Sequence, residues 1–220
     1  MSYRFVRAVL VIPVLLLVVG TALRGAAVVP DPVVDEPLAK AKGEATAVLA
    51  GGCFWGVDAV FKHVKGVKSV LSGYSGGPAN MAEYELVSSG RTGHAESVQV
   101  TYDPSQISYG VLLKIFFSVA HDPTELNRQG PDQGPQYRSA IFFANGEQKR
   151  IAEAYIEQIN QAKVFKKRIA TEVSALKAFY KAEDYHQDYL AHHLDQPYIV
   201  YNDLPKLAEL RQQFPSLYVK

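Results

Sequence analysis

A short apolar run, Ala45-Thr46-Ala47-Val48-Leu49-Ala50, is cut off by Gly51-Gly52 and followed at once by Cys53-Phe54-Trp55-Gly56. A run of that length and partly β-branched composition reads as a buried strand, and the glycine pair ends it. Val57, Val60, Phe61 and Val64 then recur at helical spacing. The chain must therefore pass from strand to helix within a few residues, with Cys53 at or just before the helix N-terminus. Unpaired amide N–H groups and the positive end of the helix dipole favour an anion there, which predicts a thiol pKa lowered from about 8.5 towards neutrality. The bland alternative is a small core cysteine beside a core aromatic, because free cysteine often packs as an inert apolar residue. Cys53 is the single cysteine and Trp55 the single tryptophan. No internal disulfide is available, so Cys53 is not a staple, and a free reactive thiol becomes the stronger expectation.

At 220 residues the chain has room for one sizeable domain plus extras. Its formal charge of +1 supplies no basic field for nucleic acid. Thirteen tyrosines suit a polar-aromatic pocket, although tyrosine is also a common half-buried strand residue. Arg4 and Arg7 precede an apolar run from Ala8 to Val19, with no acidic residue before Asp31. That run is shorter than the roughly 20 residues that span a bilayer, so residues 1–27 read as an export signal or a short N-terminal anchor. Gly25-Ala26-Ala27 offers small residues for cleavage. Removing that segment takes three of the 23 basic residues and none of the 22 acidic ones, leaving a slightly acidic domain. Residues 28–42, with Pro30, Pro32 and Pro37, read as a tether reaching up to about 50 Å, and the folded domain is expected from Gly43 to Lys220.

Within the domain, Val67 to Tyr74 reads as a second strand ending at Gly76-Gly77-Pro78, and Ala95 to Tyr102 as a third. Alternation on that third strand puts Glu96 on one face with Val98, Val100 and Tyr102. A carboxylate on an apolar face needs a reason. Ser108 to Ala120 is an amphipathic helix, Ser139 to Ala144 a strand, Glu147 to Lys163 a helix and Ile169 to Val173 a short edge strand. The order β-α-β-β-α-β predicts an α+β fold, a ferredoxin-like two-layer sandwich on a split βαβ core, with the tail from Tyr185 to Phe214 wrapping the site.

Further distinctive stretches are Gly93-His94-Ala95-Glu96, Asn127-Arg128-Gln129-Gly130, Asp132, Gln136-Tyr137-Arg138-Ser139 and Ala182-Glu183-Asp184-Tyr185-His186-Gln187-Asp188-Tyr189. Together with the Gly-Cys-Phe-Trp-Gly segment, and in this order, they resemble the A-type peptide methionine sulfoxide reductases. The resemblance runs from about Ala47 to Tyr189. It implies reduction of methionine S-sulfoxide, free or in proteins, with no bound cofactor and no metal. It also implies Cys53 as nucleophile, Glu96 as proton donor and Tyr84 and Tyr137 as hydrogen-bond donors to the sulfoxide oxygen. Phe54 and Trp55 would wall the pocket for the substrate methyl, supported by Asp132 and Tyr185. The chemistry asks for the same set, since sulfoxide sulfur becomes electrophilic only when its oxygen is protonated or strongly hydrogen-bonded. Desolvation on an apolar face would raise the Glu96 pKa and keep it protonated near pH 7.

Many members of that family carry a second, resolving cysteine near the C-terminus or at the position of Ser88; this chain has neither. The tail from Gln196 to Pro205 looks like that of single-cysteine members. An external thiol would therefore reduce a Cys53 sulfenic acid, its source a thioredoxin-like or glutaredoxin-like protein or a small dithiol. Oxidised proteins and free methionine sulfoxide are the expected substrates, the expected state is a monomer, and the expected location is the periplasm or cell envelope. Two rivals stand beside this reading: a cysteine hydrolase pairing Cys53 with His94 or His186, and a tethered, non-enzymatic binding module with a Tyr/Trp pocket. His186, Asp188, His192 and His193 read as a solvated helix face.

Overall fold

Strand β1 (Ala45–Gly51) is buried on both sides, which is why its sequence reads as a continuous apolar run with no alternation. Leu49 and Ala47 face one core with Val98, Val100 and Tyr102. Val48 and Ala50 face a smaller cluster with Ala95, Ala140 and Phe142. The computed structural model describes residues 29–220. The apolar run and the expected cleavage stretch lie outside the described residues, and among those described no helix is long and apolar enough to cross a membrane.

After β1 come helix α1 (Phe54–Lys62), strand β2 (Val67–Ser75), the single-turn helix α2 (Tyr84–Val87) and strand β3 (Ala95–Tyr102). Helix α3 (Tyr109–Ile115) follows, then a small hairpin of β4 (Arg128–Gln129) and β5 (Asp132–Gln133), and strand β6 (Ser139–Phe143). Helix α4 (Gly146–Gln161), strands β7 (Glu172–Ala175) and β8 (Phe179–Lys181), and helices α5 (Tyr189–His192) and α6 (Leu204–Gln213) complete the chain. The main sheet runs β7-β6-β1-β3-β2-β8. Its four inner strands are antiparallel in the order the split βαβ reading requires, with β3 inserted between β1 and β2. Tyr74 pairs with Glu96 across β2 and β3, setting Glu96 beside the end of β1 where Cys53 emerges.

Three elements differ from the sequence expectation. The helix expected from Ser108 to Ala120 is α-helical only to Ile115 and widens to π geometry over Phe116–Ala120. Phe116, Phe117, Val119 and Ala120 are all buried, more than a regular apolar stripe accommodates in five residues. The edge strand forms at Glu172–Ala175 instead of 169–173, parallel to β6, and β8 adds an unforeseen strand on the opposite edge.

The segment 28–42 is not a free tether over its described residues. Val29 is 2% exposed and belongs to the main core. The Tyr155 hydroxyl donates to the Pro30 carbonyl, and Gln158 bonds both Val33 N–H and the Asp31 carbonyl. Asp35 accepts from Gly110 N–H at 2.8 Å and from the Ser108 hydroxyl, so a residue of this segment caps α3 from outside. Proline and scattered charge describe the backbone of such a segment but not its docking. The folded unit therefore begins by Val29 and not at Gly43. Asp35→Ala should lower stability by about 1–2 kcal/mol, the usual worth of a helix cap, in urea unfolding followed by circular dichroism.

Candidate active site

Two glycines let distant segments close on Cys53. Gly52 has φ +86°, and a Cβ there would sit 2.5 Å from Gln129 Cβ on the β4–β5 hairpin. Gly56, in the first turn of α1, has the carboxylate of Asp203 directly against it, with Lys206 Nζ 2.7 Å from where a Cβ would be. Cys53 is the residue before the first turn of α1 and is 8% exposed. The first amide of that helix, Phe54 N–H, donates to Glu96 Oε2 at 3.1 Å.

The electrostatics reverse one sequence expectation. The Cys53 thiol is pushed up, not down: burial dominates, the Glu96 and Asp203 carboxyls add to it, and the Trp55 N–H and Lys206 ammonium only partly oppose it. A helix dipole contributes about 0.3–1 kcal/mol, up to about 2 in favourable sites, whereas withdrawing an ion from water costs several. Burial also pushes Glu96 up to about 8, with nearby Asp132 adding and the Phe54 N–H opposing. Both shifts favour the protonated thiol and the protonated carboxyl at neutral pH.

Cys53, Phe54, Trp55, Tyr84, Glu96, Asp132, Tyr137 and Tyr198 line one cavity of about 180 Å³. Seven of the eight residues singled out in the sequence are among them. Tyr185 is not: it is 60% exposed, and its ring lies against His186 with centroids 4.2 Å apart. Tyr198 takes a place that the sequence reading did not assign, and its hydroxyl donates to the Asp132 carboxylate. The Pro197-Tyr198 stretch of the tail was the available signal, but nothing local places it within reach of Cys53. Burial, joined by the surrounding carboxyls and thiol, raises the phenol pKa of Tyr84, Tyr137 and Tyr198, so all three keep their O–H donors.

The Ala182–Tyr189 motif supports these walls. Glu183 accepts from Tyr84 N–H at 2.9 Å and from the Tyr74 hydroxyl at 2.8 Å, which fixes the start of α2. Gln187 bonds both the N–H and the carbonyl of Ser72. Trp55 Nε1 donates to His186 Nδ1 at 3.1 Å, and its ring stacks on Tyr189 at 3.7 Å between centroids. His186 is therefore not part of a solvated face; it is 2% exposed because Phe54, Trp55, Tyr84 and Tyr185 box it in, and burial lowers its pKa. His94 accepts from Gly77 N–H through Nδ1 and faces the Pro78 carbonyl through Nε2. Neither histidine lines the Cys53 cavity, so the pair a cysteine hydrolase needs is not assembled.

A buried thiol facing a neutral carboxylic acid and three phenol hydroxyls, on an α+β scaffold, defines an oxidoreductase that works through cysteine sulfur. The family model for peptide methionine sulfoxide reductase matches residues 45–217, and the chain belongs to that family. It is 59% identical over 178 residues to peptide methionine sulfoxide reductase MsrA 2 of Mesorhizobium japonicum, covering 81% of this chain and 91% of that one. The MsrA 2 of Synechocystis is 57% identical, covering 85% and 88%. Among solved structures, reduced Mxr1 from Saccharomyces cerevisiae superposes with a TM-score of 0.62 at 31% identity, covering 73% of this chain and 94% of that one. Methionine sulfoxide reductase A of Corynebacterium diphtheriae gives 0.59 at 36% identity, covering 69% and 76%.

Burial that raises the thiol pKa leaves less thiolate to meet simple alkylating agents. Iodoacetamide at pH 7 should modify Cys53 more slowly than it modifies free cysteine, with a rate still climbing at pH 9, as intact-mass time courses would record.

Proposed function

We infer that this chain reduces the S epimer of methionine sulfoxide, free or within proteins, to methionine and so repairs oxidised proteins. The observation that carries the reading is that the buried Cys53 thiol and Glu96 carboxyl line one cavity, where burial raises the pKa of both. Glu96 gives its proton to the sulfoxide oxygen as Cys53 sulfur attacks, and the thiol proton passes to the emptied carboxylate. Atoms balance without an outside acid: thiol plus sulfoxide become sulfenic acid plus methionine. Tyr84 and Tyr137 steady the oxygen through their hydroxyls while charge moves onto it, the work of an oxyanion cradle. Phe54 and Trp55 receive the S-methyl group, where sulfur and methyl contact aromatic surface. Asp132, held by Tyr198, orients the remaining wall; Tyr185 has no place in this scheme.

With one cysteine in the chain, the sulfenic acid waits for an external thiol. A thioredoxin-like or glutaredoxin-like protein, or a small dithiol, supplies it. Without thiol, rapid quench should find about one methionine per chain and a dimedone adduct on Cys53. Glu96→Gln should slow that single turnover by about 10²- to 10⁴-fold, and the wild-type rate should fall as pH rises through about 8, where Glu96 loses its proton. Methionine beyond one equivalent, or a Gln variant with a wild-type rate, would overturn the mechanism.

The basic residues ahead of the apolar run support an exported protein of the periplasm or envelope, either released after cleavage near Ala27 or held by the uncleaved segment. In the held form the domain stays close to the bilayer: with Val29 docked in the core, a chain of about five residues can reach at most about 15–20 Å, not the 50 Å of a free linker. Fractionation with mapping of the N-terminal peptide should place the protein outside the cytoplasm; a soluble cytoplasmic chain still beginning at Met1 or Ser2 would refute this.

A further inference from the structure

Cys53 lines two cavities, not one. The second, of about 70 Å³, is bounded by Gln129, Gly130 and Pro131 of the β4–β5 hairpin and by Asn202 and Lys206 of the C-terminal segment. Asp132 and Tyr198 also line both cavities, so the two adjoin at these residues and the thiol. The two differ in charge. Both share the Asp132 carboxyl and the Tyr198 phenol; the first adds Glu96, Tyr84 and Tyr137, whereas the second adds Lys206, which of all residues lining either is the only cation. Its ammonium is paired with the fully buried Asp203 at 3.0 Å and is itself 17% exposed, so it is held in place against Gly56, one turn from the thiol.

We propose that the second cavity is the entry for the reductant, and that Lys206 guides an incoming thiolate onto the sulfur of the Cys53 sulfenic acid. The inference rests on the reductase reading above. Displacement at divalent sulfur needs the nucleophile and the leaving oxygen on opposite sides. The oxygen comes from the sulfoxide and lies towards Glu96, Tyr84 and Tyr137, which leaves the Lys206 side for the thiolate. The reductant's S⁻ forms the S–S bond while the S–O bond breaks; the oxygen leaves with its electron pair, takes the Glu96 proton and departs as water. A second thiolate attacks the outer sulfur of that mixed disulfide, releasing the reductant as its disulfide, and the protons of the two ionised thiols return to Cys53 and Glu96. The cavity's size admits a –CH₂–S⁻ tip and little more, so the body of the reductant stays outside on the exposed Gly130–Pro131 tip.

The test loads Cys53 as sulfenic acid with one equivalent of methionine sulfoxide, confirms methionine release, then mixes in 2-mercaptoethanesulfonate, 2-mercaptoethanol or cysteamine at equal thiolate concentration. Wild-type protein should be reduced about tenfold faster by the anionic thiol than by the cationic one. Lys206→Gln should collapse that ratio to near one, and Lys206→Arg should keep it. The ratio is read only on chains that have released methionine, and Lys206→Arg, which keeps a cation beside the buried Asp203, separates loss of charge from a loosened site. A reversed order in wild type would mean entry past Glu96 through the first cavity. That result, or an unchanged ratio in the Gln variant, overturns the proposal while methionine release leaves the reductase reading intact. A chain that releases no methionine overturns both.

Discussion

One hydrogen bond organises the site: the first amide of α1 donates to a carboxyl buried on β3. It joins the strand–helix turn that carries Cys53 to the strand that carries Glu96, and the β1–β3–β2 register brings the two together. The same burial sets both protonation states. A carboxyl with one N–H donor and no counter-ion keeps its proton, and a thiol beside it keeps its own. The burial that blunts the nucleophile also favours the protonated acid that a sulfoxide needs.

Around that pair the remaining walls arrive from far along the chain. The β4–β5 hairpin lies over Gly52, and the C-terminal segment packs Tyr198, Asp203 and Lys206 against α1. Each approach needs a residue without a side chain beneath it, which gives Gly52 and Gly56 a packing reason beyond loop flexibility. The Ala182–Tyr189 motif works one layer further out. Glu183 and Gln187 tie β2, α2 and the tail into one unit, so that Tyr84 and Trp55 present fixed surfaces to the cavity.

Much of this was legible before any coordinates. Residues 45–61 specify strand, turn and helix by composition and spacing alone, and alternation along Ala95–Tyr102 puts Glu96 on the apolar face where it is found 3% exposed. What misled was local reasoning about electrostatics and exposure. Position at a helix N-terminus argued for an acidified thiol, and a Tyr- and His-rich stretch argued for a solvated face; the first failed, and the second held for Asp188 and His192 but failed for His186, because burial is a property of everything packed around a residue. Proline content likewise said that residues 29–42 have no regular structure, but not that Asp35 would cap α3.

The sequence by itself determined the order of strands and helices, the place of the nucleophile at a strand–helix turn and the supply of aromatic and acidic groups, because periodicity and turn residues act over a few positions. Tertiary structure alone decided which of them meet. It put Tyr198 in the cavity and Tyr185 outside it, boxed His186 away from water and brought Lys206 into the lining of a second cavity that Cys53 also lines. Those outcomes depend on contacts between residues more than a hundred positions apart, and so does the dielectric that fixes where the protons of Cys53 and Glu96 reside.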